Sequence, residues 1–371
     1  MTRRAFVHRL GALAPDDVSG LEAGFAEGTI APQSVVAIFG KTEGNGCVND
    51  FTRGFATRAL SDALRAAGAD PATVCLVMSG GTEGGLSPHF VAFEAREVDG
   101  PAEAQALAVG RARTARLPYA DLGRLAQVDL VVEGVRAAMR DAGLERAEDV
   151  HFVQIKCPLL TADRVAKAEA AGETTATRDT LKSMGLSRAA SALGVAVALG
   201  EIDRGALTDA QIGRDVSLFS GRASSSAGVE LEDHEIVVLG AAPGGWAGPL
   251  RVDHAVMQDA IDVEPVRAAL RRLGLAAEGQ LTKPERARVV ALLAKAEASA
   301  SGTLRGLRHT MLNDSDISST RHARAFVAGA LASVVGHAEI YVSGGAEHQG
   351  PDGGGPVAVI VDTSSVSGAA P

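Results

Sequence analysis

Three lysines in this chain stand directly after apolar, β-branched segments that have the character of buried strands. They are Lys41 after residues 35–40, Lys156 after residues 150–155, and Lys295 after residues 288–294. The chain has 36 basic residues, of which 30 are arginines and six are lysines, so lysine is its rare cation. A buried lysine can lose its proton, whereas an arginine in practice cannot. The three lysines are therefore candidates for a base.

An arginine opens a helix-like stretch downstream of each of these lysines. The three arginines are Arg53, Arg188 and Arg324. Arg321 is a second candidate for the third position, because residues 319–321 resemble residues 51–53. The longer match, which continues through Phe326 and Leu331, favours Arg324.

A serine followed by a small residue ends each copy of the pattern. The pairs are Ser79-Gly80, Ser226-Ala227 and Ser343-Gly344. The block 75–83 matches the block 340–347 closely, and the middle block, 224–230, is more diverged. A triplicated core would keep apolar positions, but the residues matched here are polar and lie at strand and helix ends, where sites are commonly built. The repeat therefore indicates three copies of one functional set.

A lysine, an arginine and a serine brought together could carry out acyl transfer. A serine hydroxyl needs a base beside it, and a lysine can be that base when burial and nearby cations disfavour its ammonium form. The backbone N–H of the small residue after the serine can approach a substrate oxyanion closely. Arginine donates a planar fork of hydrogen bonds. Three such sets around one axis imply a small, planar substrate with carbonyls at nearly threefold spacing.

The elements that must position these residues are strands alternating with helical patterns, which places the fold in the α/β or α+β class. Two segments rich in Gly and Pro, 99–101 and 243–249, have the character of linkers. We expect three related units near 1–104, 110–248 and 252–371. The pattern does not specify strand order.

Composition excludes several classes of function. The 371 residues are 46% apolar with a net charge of −9, and no basic run favours nucleic acid. No apolar stretch approaches the roughly 20 residues of a membrane span. The basic start, 1–9, lacks the apolar segment of a secretion signal. Three cysteines without CxxC spacing suggest neither zinc nor a disulfide framework. We expect a cytoplasmic protein that binds neither nucleic acid nor membrane.

Three sequence blocks carry a specific family resemblance: residues 40–50 (GKTEGNGCVND), 79–84 (SGGTEG) and 342–351 (VSGGAEHQGP). With these blocks the chain closely resembles the cyanuric acid hydrolase and barbiturase family, over essentially its whole length. The resemblance implies hydrolysis of a cyclic imide. It also implies an α/β fold of three related units around a pseudo-threefold axis, with the active site at the centre. Members of the family are typically homotetramers.

The resemblance assigns roles to the repeated residues. Its lysine–serine pairs fall on Lys41 with Ser79, Lys156 with Ser226, and Lys295 with Ser343. Its substrate-binding residues are Arg53, Arg188, Arg324, Lys41, Lys295, Ser79, Ser343, Gly80, Ala227 and Gly344. Only the middle pair is implied to be catalytic, with Ser226 as the nucleophile and Lys156 as its base. The sequence itself hardly distinguishes this pair from the other two.

The resemblance further implies a structural divalent cation, Mg²⁺, near the third unit, and no organic cofactor. Glu297 would supply a carboxylate to an all-oxygen shell of the kind that hard cations prefer. The remaining ligands would be Gln349 and backbone oxygens of Ala346, Gly350, Pro351 and Gly354. Without the resemblance, residues 350–356 would be interpreted as a flexible loop.

Several other residues invite functional interpretations that we set aside. The nine histidines include no HExxH and no ligand-like pair on a convincing helix, so zinc catalysis is disfavoured. The glycine pairs 80–81 and 84–85 precede no Walker lysine, so a nucleotide site is disfavoured. Cys157 is expected to be a small buried residue. Solvated carboxylates are expected at Glu43, Glu83 and Glu347.

The leading functional hypothesis is hydrolytic opening of cyanuric acid to carboxybiuret, which loses CO₂ to give biuret, through a carbamoyl ester on Ser226. The first alternative is barbiturase activity, which opens barbituric acid to ureidomalonate. The second alternative is a binding protein on the same fold without activity, which is disfavoured because all nine lysine, arginine and serine positions are present.

Overall fold

The computed structural model describes residues 1–364, so residues 365–371 of the third expected unit lie outside the described part. Most of the strands form three mixed sheets. The first contains β1 (Thr2–Gly11), β2 (Val35–Thr42), β3 (Cys75–Gly80), β4 (His89–Val98) and β9 (Trp246–Ala247), in the order β3-β2-β4-β1-β9. The second contains β5 (Ala106–Arg113), β6 (Val150–Pro158), β7 (Ala223–Gly228) and β8 (Glu235–Ala242), in the order β5-β8-β6-β7. The third contains β10 (Leu250–Met257), β11 (Val289–Ala296), β14 (Tyr341–Gly344) and β15 (Gly355–Asp362), in the order β10-β15-β11-β14. A small hairpin pairs β12 (Thr303–Leu304) with β13 (Leu307–Arg308).

Eight α-helices cover the sheets: α1 (Ser19–Glu27), α2 (Phe51–Ala66), α3 (Leu125–Ala142), α4 (Ala162–Ala170), α5 (Thr180–Ala198), α6 (Glu264–Arg272), α7 (Lys283–Arg288) and α8 (Ser319–Val335). Short 3₁₀ helices lie at Pro32–Ser34, Pro71–Thr73, Tyr119–Asp121, Ala147–Asp149, Arg204–Ala206 and Asp209–Gln211. Within residues 1–364, no helix combines the length and the apolar character that crossing a bilayer requires.

The three sheets repeat one local arrangement. In each, the lysine-bearing strand pairs in parallel with a serine-bearing strand on one side and antiparallel with the next strand on the other. The lysine strands β2, β6 and β11 each carry a register shift near their start, at residues 35–37, 150–152 and 289–291. A shared irregularity at one place in three strands is typical of related units, and it confirms the expected fold of three repeats.

Two of the expected unit boundaries fall inside strands. Residue 110 lies within β5 and residue 252 within β10, because both strands begin before the position where the linker composition ends. The segment 243–249, expected to be a linker, also contains β9, which pairs in parallel with β1 of the first sheet. The sheets therefore draw their main strands from residues 2–98, 106–242 and 250–362.

The largest apolar cluster joins all three sheets. It contains Phe39 from β2, Phe152 from β6 and Tyr341 from β14, all fully buried. The rings of Phe39 and Tyr341 lie 5.9 Å apart between centroids. Because the sheets share this interior, the carboxyl ends of their lysine and serine strands point into one region.

The helices α2, α5 and α8 carry the three repeated arginines. Each packs on its sheet through small and branched residues, as Ala56 and Leu60 of α2 do against Ile38 and Met78. Asp50 caps α2, since its Oδ1 accepts a hydrogen bond from the Thr52 backbone N–H at 3.0 Å. Packing on the sheets fixes each arginine near the end of a serine strand.

Candidate active site

One small cavity, which we call the front cavity, lies where the three units meet. It is lined by Gly46, Arg53, Met78, Ser79, Gly80, Met184, Arg188, Ser226, Ala227, Arg324, Ser343 and Gly344. All three repeated serines, the residues after them and all three repeated arginines therefore share one cavity. Sequence reasoning missed two of the lining residues, Met184 and Gly46. Neither occupies a repeated position, so the repeat pattern could not predict them.

The three lysines lie behind the serines, each with 1% of its surface exposed. Strand register places each lysine directly opposite a serine: Lys41 opposite Ser79, Lys156 opposite Ser226, and Lys295 opposite Ser343. The structure thus brings together each lysine–serine pair that the sequence predicts.

The hydrogen bonds of the lysines differ between units. Lys41 Nζ lies 3.4 Å from Ser79 Oγ, and Lys295 Nζ donates to Ser343 Oγ at 3.2 Å. Lys156 Nζ instead donates to the Met78 carbonyl oxygen at 2.7 Å and forms an ion pair with Glu230 Oε1 at 2.7 Å. The middle lysine is therefore the one paired with a carboxylate at this distance.

The nucleophile predicted by the resemblance has a hydroxyl neighbour. Ser226 Oγ lies 3.0 Å from Ser343 Oγ, across the boundary between two units. Because Lys295 donates to Ser343, a hydrogen-bonded chain runs from Lys295 through Ser343 to Ser226. The hydroxyl of the middle serine is thus hydrogen-bonded to a residue of the third unit.

Burial is the main influence on the acidity of the lysines. It lowers the pKa of Lys41 well below its usual value, and the Arg324 charge lowers it further. Burial and then the Arg188 charge lower the pKa of Lys295 to about 7. Burial also lowers the pKa of Lys156, although the Glu230 carboxylate opposes this effect.

Two of the three arginines are held by a glutamate from another unit. Arg188 donates from Nε and Nη2 to the two oxygens of Glu347, at 2.8 and 2.6 Å. Arg324 donates from Nε to Glu83 Oε1 at 2.9 Å, and its Nη2 donates to the same oxygen. The expectation that Glu83 and Glu347 are solvated is wrong, because guanidinium groups at the cavity bind both of them. Glu43 is exposed, as expected.

The third glutamate, Glu230, departs from this pattern. Its Oε1 lies 3.8 Å from Arg53 Nε, beyond hydrogen-bond distance, while Arg53 Nη2 donates to the Cys47 carbonyl at 2.8 Å. Sequence reasoning missed Glu230. A signal existed, because Glu83, Glu230 and Glu347 each follow a repeated serine by four positions.

Arg324 rather than Arg321 lines the front cavity. The Nε of Arg321 donates to the Asn45 carbonyl at 3.1 Å, which places Arg321 beside the loop before α2. Both arginines lie on α8, and they differ in whether their side chains reach the cavity.

Tyr341 is a buried residue close to the serines that the sequence did not mark. Its ring is fully buried, and its hydroxyl makes no hydrogen bond that the described structure records. Burial raises the pKa of this phenol, and the nearby hydroxyls of Ser226 and Ser79 oppose that effect. Tyr341 therefore lies near the serines in a neutral form.

Most residues implied as metal ligands gather beside the site. Glu297, Ala346, Gly350 and Pro351 line one cavity. Burial and the nearby Glu347 charge raise the pKa of Glu297 to about 7. A buried carboxyl group disfavoured in its charged form fits a site that a cation would complete.

Two further members of the implied ligand set lie nearby with their own partners. The side-chain oxygen of Gln349 accepts the Ser225 N–H at 2.6 Å, and the Gly354 N–H donates to the Pro351 carbonyl at 2.9 Å. Gln349 thus ties the ligand loop to the strand that carries Ser226.

The remaining residues of interest lie apart from this chemistry. His151 Nδ1 lies 2.9 Å from His254 Nδ1 and 3.4 Å from Asp253 Oδ1. This group brings histidines closer than sequence spacing indicates, but it lies near the start of β6, at the opposite end from Lys156. Cys157 is confirmed as a buried residue, and burial raises the pKa of its thiol.

The chain matches a family model described as amidohydrolase ring-opening protein over residues 6–362. Among curated relatives, a cyanuric acid amidohydrolase of Azorhizobium caulinodans is 64% identical over 357 residues, covering 96% of this chain and 98% of the relative. A cyanuric acid amidohydrolase of Bradyrhizobium is 62% identical, covering 97% of this chain and 98% of the relative.

Solved structures agree with these relatives. A crystal structure of cyanuric acid hydrolase from A. caulinodans superposes with a TM-score of 0.91 at 62% identity, covering 98% of this chain and 99% of that chain. A cyanuric acid hydrolase structure described as evolutionary innovation by structural concatenation superposes with a TM-score of 0.92 at 47% identity, covering 98% and 100%. The three-unit architecture is therefore shared by solved proteins.

Proposed function

The chain belongs to the amidohydrolase ring-opening protein family, and from that premise we propose that it hydrolyses cyanuric acid. It is a hydrolase of cyclic amide C–N bonds, like the relatives that it matches over nearly its full length. The product we infer is carboxybiuret, which decarboxylates to biuret.

The observation that carries this proposal is the convergence of three arginines and three serines on the front cavity. Cyanuric acid is a planar ring with three carbonyls at threefold spacing. Three arginines from three units, with backbone N–H groups of Gly80, Ala227 and Gly344, match that symmetry. Such donors bind carbonyl oxygens and stabilise the charge that develops on one of them.

Chemistry begins when Lys156, in its neutral amine form, takes the proton of Ser226. The Ser226 oxygen attacks one ring carbonyl, and the resulting oxyanion is bound by backbone N–H groups after the serine. When the oxyanion collapses, the ring C–N bond breaks and the departing nitrogen takes the proton from Lys156. A carbamoyl ester on Ser226 remains, and water hydrolyses it to release carboxybiuret.

The resting contacts of Lys156 define one movement that this sequence of steps requires. Its Nζ donates to the Met78 carbonyl, while its backbone lies opposite Ser226 in the sheet. A rotation of the lysine side chain must therefore exchange the carbonyl for the Ser226 hydroxyl. Support for Lys156 as the base comes from its burial and from this register.

A divalent cation, inferred as Mg²⁺, would bind Glu297, Gln349 and backbone oxygens of Ala346, Gly350, Pro351 and Gly354. When bound, it supplies positive charge that neutralises the buried Glu297 carboxylate. The bound cation would also order the strand that carries Ser226, because Gln349 accepts a hydrogen bond from the Ser225 N–H on that strand. Thermal unfolding with Mg²⁺ and with EDTA tests this role, and Glu297→Gln is expected to abolish the difference between the two conditions.

The decisive experiment is an assay of biuret and CO₂ from purified protein with cyanuric acid. Barbituric acid is the matched second substrate, because it replaces one ring N–H by CH₂. Faster turnover of barbituric acid would identify a barbiturase, and tight cyanurate binding without biuret would identify a binding protein. We expect biuret formation, with loss of turnover in Ser226→Ala.

A homotetramer is the assembly that we propose, in the cytoplasm. Phe51 and Phe55 support a subunit contact, since they are exposed and lie one turn apart on α2. Light scattering of the wild type and of Phe55→Ser tests the assembly. A monomeric wild type would contradict it.

A further inference from the structure

The glutamates that follow the three serines by four positions form a ring of contacts between units. Arg324 binds Glu83, Arg188 binds Glu347, and Arg53 faces Glu230, so each arginine meets a carboxylate from a different unit. Two of these pairs are within hydrogen-bond distance. The Arg53–Glu230 pair is open at 3.8 Å.

Glu230 binds the lysine of its own unit instead. Its Oε1 lies 2.7 Å from Lys156 Nζ. Both groups are buried, so each is deprived of water and depends on the other for compensation of its charge. The described contacts of Lys41 and Lys295 are hydroxyls and carbonyls, so the middle unit is set apart by a carboxylate.

A second cavity, which we call the rear cavity, lies on the other side of this pair. Lys156 and Glu230 line it together with Glu235, Arg113, Thr57 and Ser61. Ser226 lines the front cavity, so the lysine and the serine of the middle pair line different cavities.

Building on the proposed function, we propose that Glu230 is the positioning residue of the middle dyad, stabilising the Lys156 ammonium that forms when Ser226 is deprotonated. Its role resembles that of the carboxylate of a catalytic triad, which stabilises a protonated base without taking the proton. The proton moves from Ser226 Oγ to Lys156 Nζ and later to the departing ring nitrogen. Glu230 remains a carboxylate throughout.

The charges that face Lys156 decide how its titration responds. Burial lowers the pKa of Lys156, the Glu230 carboxylate raises it, and the Arg53 charge lowers it. Glu235 is the direct neighbour of Lys156 on β8, where Arg113 approaches it at 3.3 Å, and burial raises the pKa of Glu235 to about 7. Cys157 is a buried thiol on the same strand as Lys156.

The test is the pH profile of kcat for the wild type, Glu230→Gln, Glu235→Gln and Glu83→Gln. In Glu230→Gln the Lys156 amine becomes neutral at a lower pH than in the wild type. The acid limb of the kcat profile should therefore move to lower pH by about one unit. The maximal kcat should fall about tenfold or more. Glu83→Gln loses the corresponding carboxylate of the first unit, so it should raise KM and leave the acid limb in place.

A measurement independent of activity separates this inference from the proposed function. Lysine ¹³Cε resonances titrate with the amine, and Lys156→Met identifies the signal among six lysines. The Lys156 signal should titrate at lower pH in Glu230→Gln than in the wild type, even if cyanuric acid is not hydrolysed. Unchanged titration would overturn the inference, and so would an equal shift in Glu83→Gln or a shift confined to Glu235→Gln. Glu230→Asp, with a shorter carboxylate, should recover part of the shift if Glu230→Gln folds poorly.

Discussion

We call each lysine–serine pair, with the residues around it, a corner of the site. The Lys41 and Lys156 corners have the same strand register and different neighbours. Lys41 lies between Ser79 and His89, and burial lowers the pKa of that histidine to about 4, so His89 is neutral at pH 7. Lys156 lies between Ser226 and Glu235, with Glu230 at its amine. The charges of Arg324 and Lys295 around the first lysine are offset by carboxylates such as Glu83, and no carboxylate is paired with its amine in the described structure. The second lysine has a carboxylate at its amine.

This difference indicates how a repeated protein can specialise one copy. The backbone frame places a lysine beside a serine three times. The residue on the next strand, and whether the glutamate four positions after the serine binds an arginine or the lysine, decide the charge around each amine. The glutamates of the outer units, Glu83 and Glu347, are bound tightly by Arg324 and Arg188, which favours a binding role for those corners. The open Arg53–Glu230 contact leaves the middle carboxylate for Lys156.

Removing each serine in turn is expected to have the largest effect. Ser226→Ala should lower kcat by about 10⁴-fold or more, because no nucleophile remains at the specialised corner. Ser79→Ala and Ser343→Ala should keep measurable turnover and raise KM by about tenfold, since each removes one hydrogen bond. Biuret formation measures all three, and intact-mass analysis of quenched wild type should detect the ester. Equal losses at the three serines would contradict the specialisation.

Replacing the lysines one at a time compares the first and middle units in the role of the catalytic base. Lys156→Met should lower kcat by about 10²- to 10⁴-fold, the usual contribution of general base catalysis. Lys41→Met should lower kcat by less than about tenfold, because this buried lysine contacts a serine that is not the nucleophile. Steady-state kinetics with cyanuric acid measures both variants. A larger loss in Lys41→Met than in Lys156→Met would move the dyad to the first unit.

Much of this site could be predicted from the sequence, because repetition marks positions that composition does not. Three lysines at strand ends and three serines before small residues specify the register that the sheets show. The ion pairs could not be predicted in the same way. Glu83 binds Arg324, 241 residues away in the chain, and only the docking of one unit on another brings them together.

The unit boundaries show a second limit of sequence reasoning. Glycine and proline mark where a linker can form, but strand pairing decides where a strand begins. β5 and β10 start before residues 110 and 252 because they pair along their whole lengths with β8 and β15. Trp246 joins the first sheet because a tertiary contact with β1 overrides the local turn composition.

Replacing the two candidate arginines on α8 by lysine, one at a time, is expected to have at most a moderate effect on KM. Arg324→Lys should raise KM by about 10- to 100-fold, because lysine cannot reproduce the fork that contacts Glu83 and faces the cavity. Arg321→Lys should change KM by less than about threefold, since its contact is the Asn45 carbonyl outside the cavity. Both variants keep the charge, so the pair isolates geometry. A larger effect in Arg321→Lys would assign the third position to it.

The residue after each serine gives the smallest and sharpest comparison, because the middle unit has Ala227 where the first has Gly80. A Cβ at Gly80 would lie 1.7 Å from Asp50 Oδ2, so Gly80→Ala must displace the carboxylate that caps α2. Overpacking and loss of the cap should lower Tm by about 3–6 °C and raise KM severalfold, since α2 carries Arg53. Ala227→Gly removes one methyl group and should change KM by less than about twofold. Calorimetry and kinetics measure both variants, and an unchanged Tm in Gly80→Ala would show that the first corner tolerates the side chain found at the second.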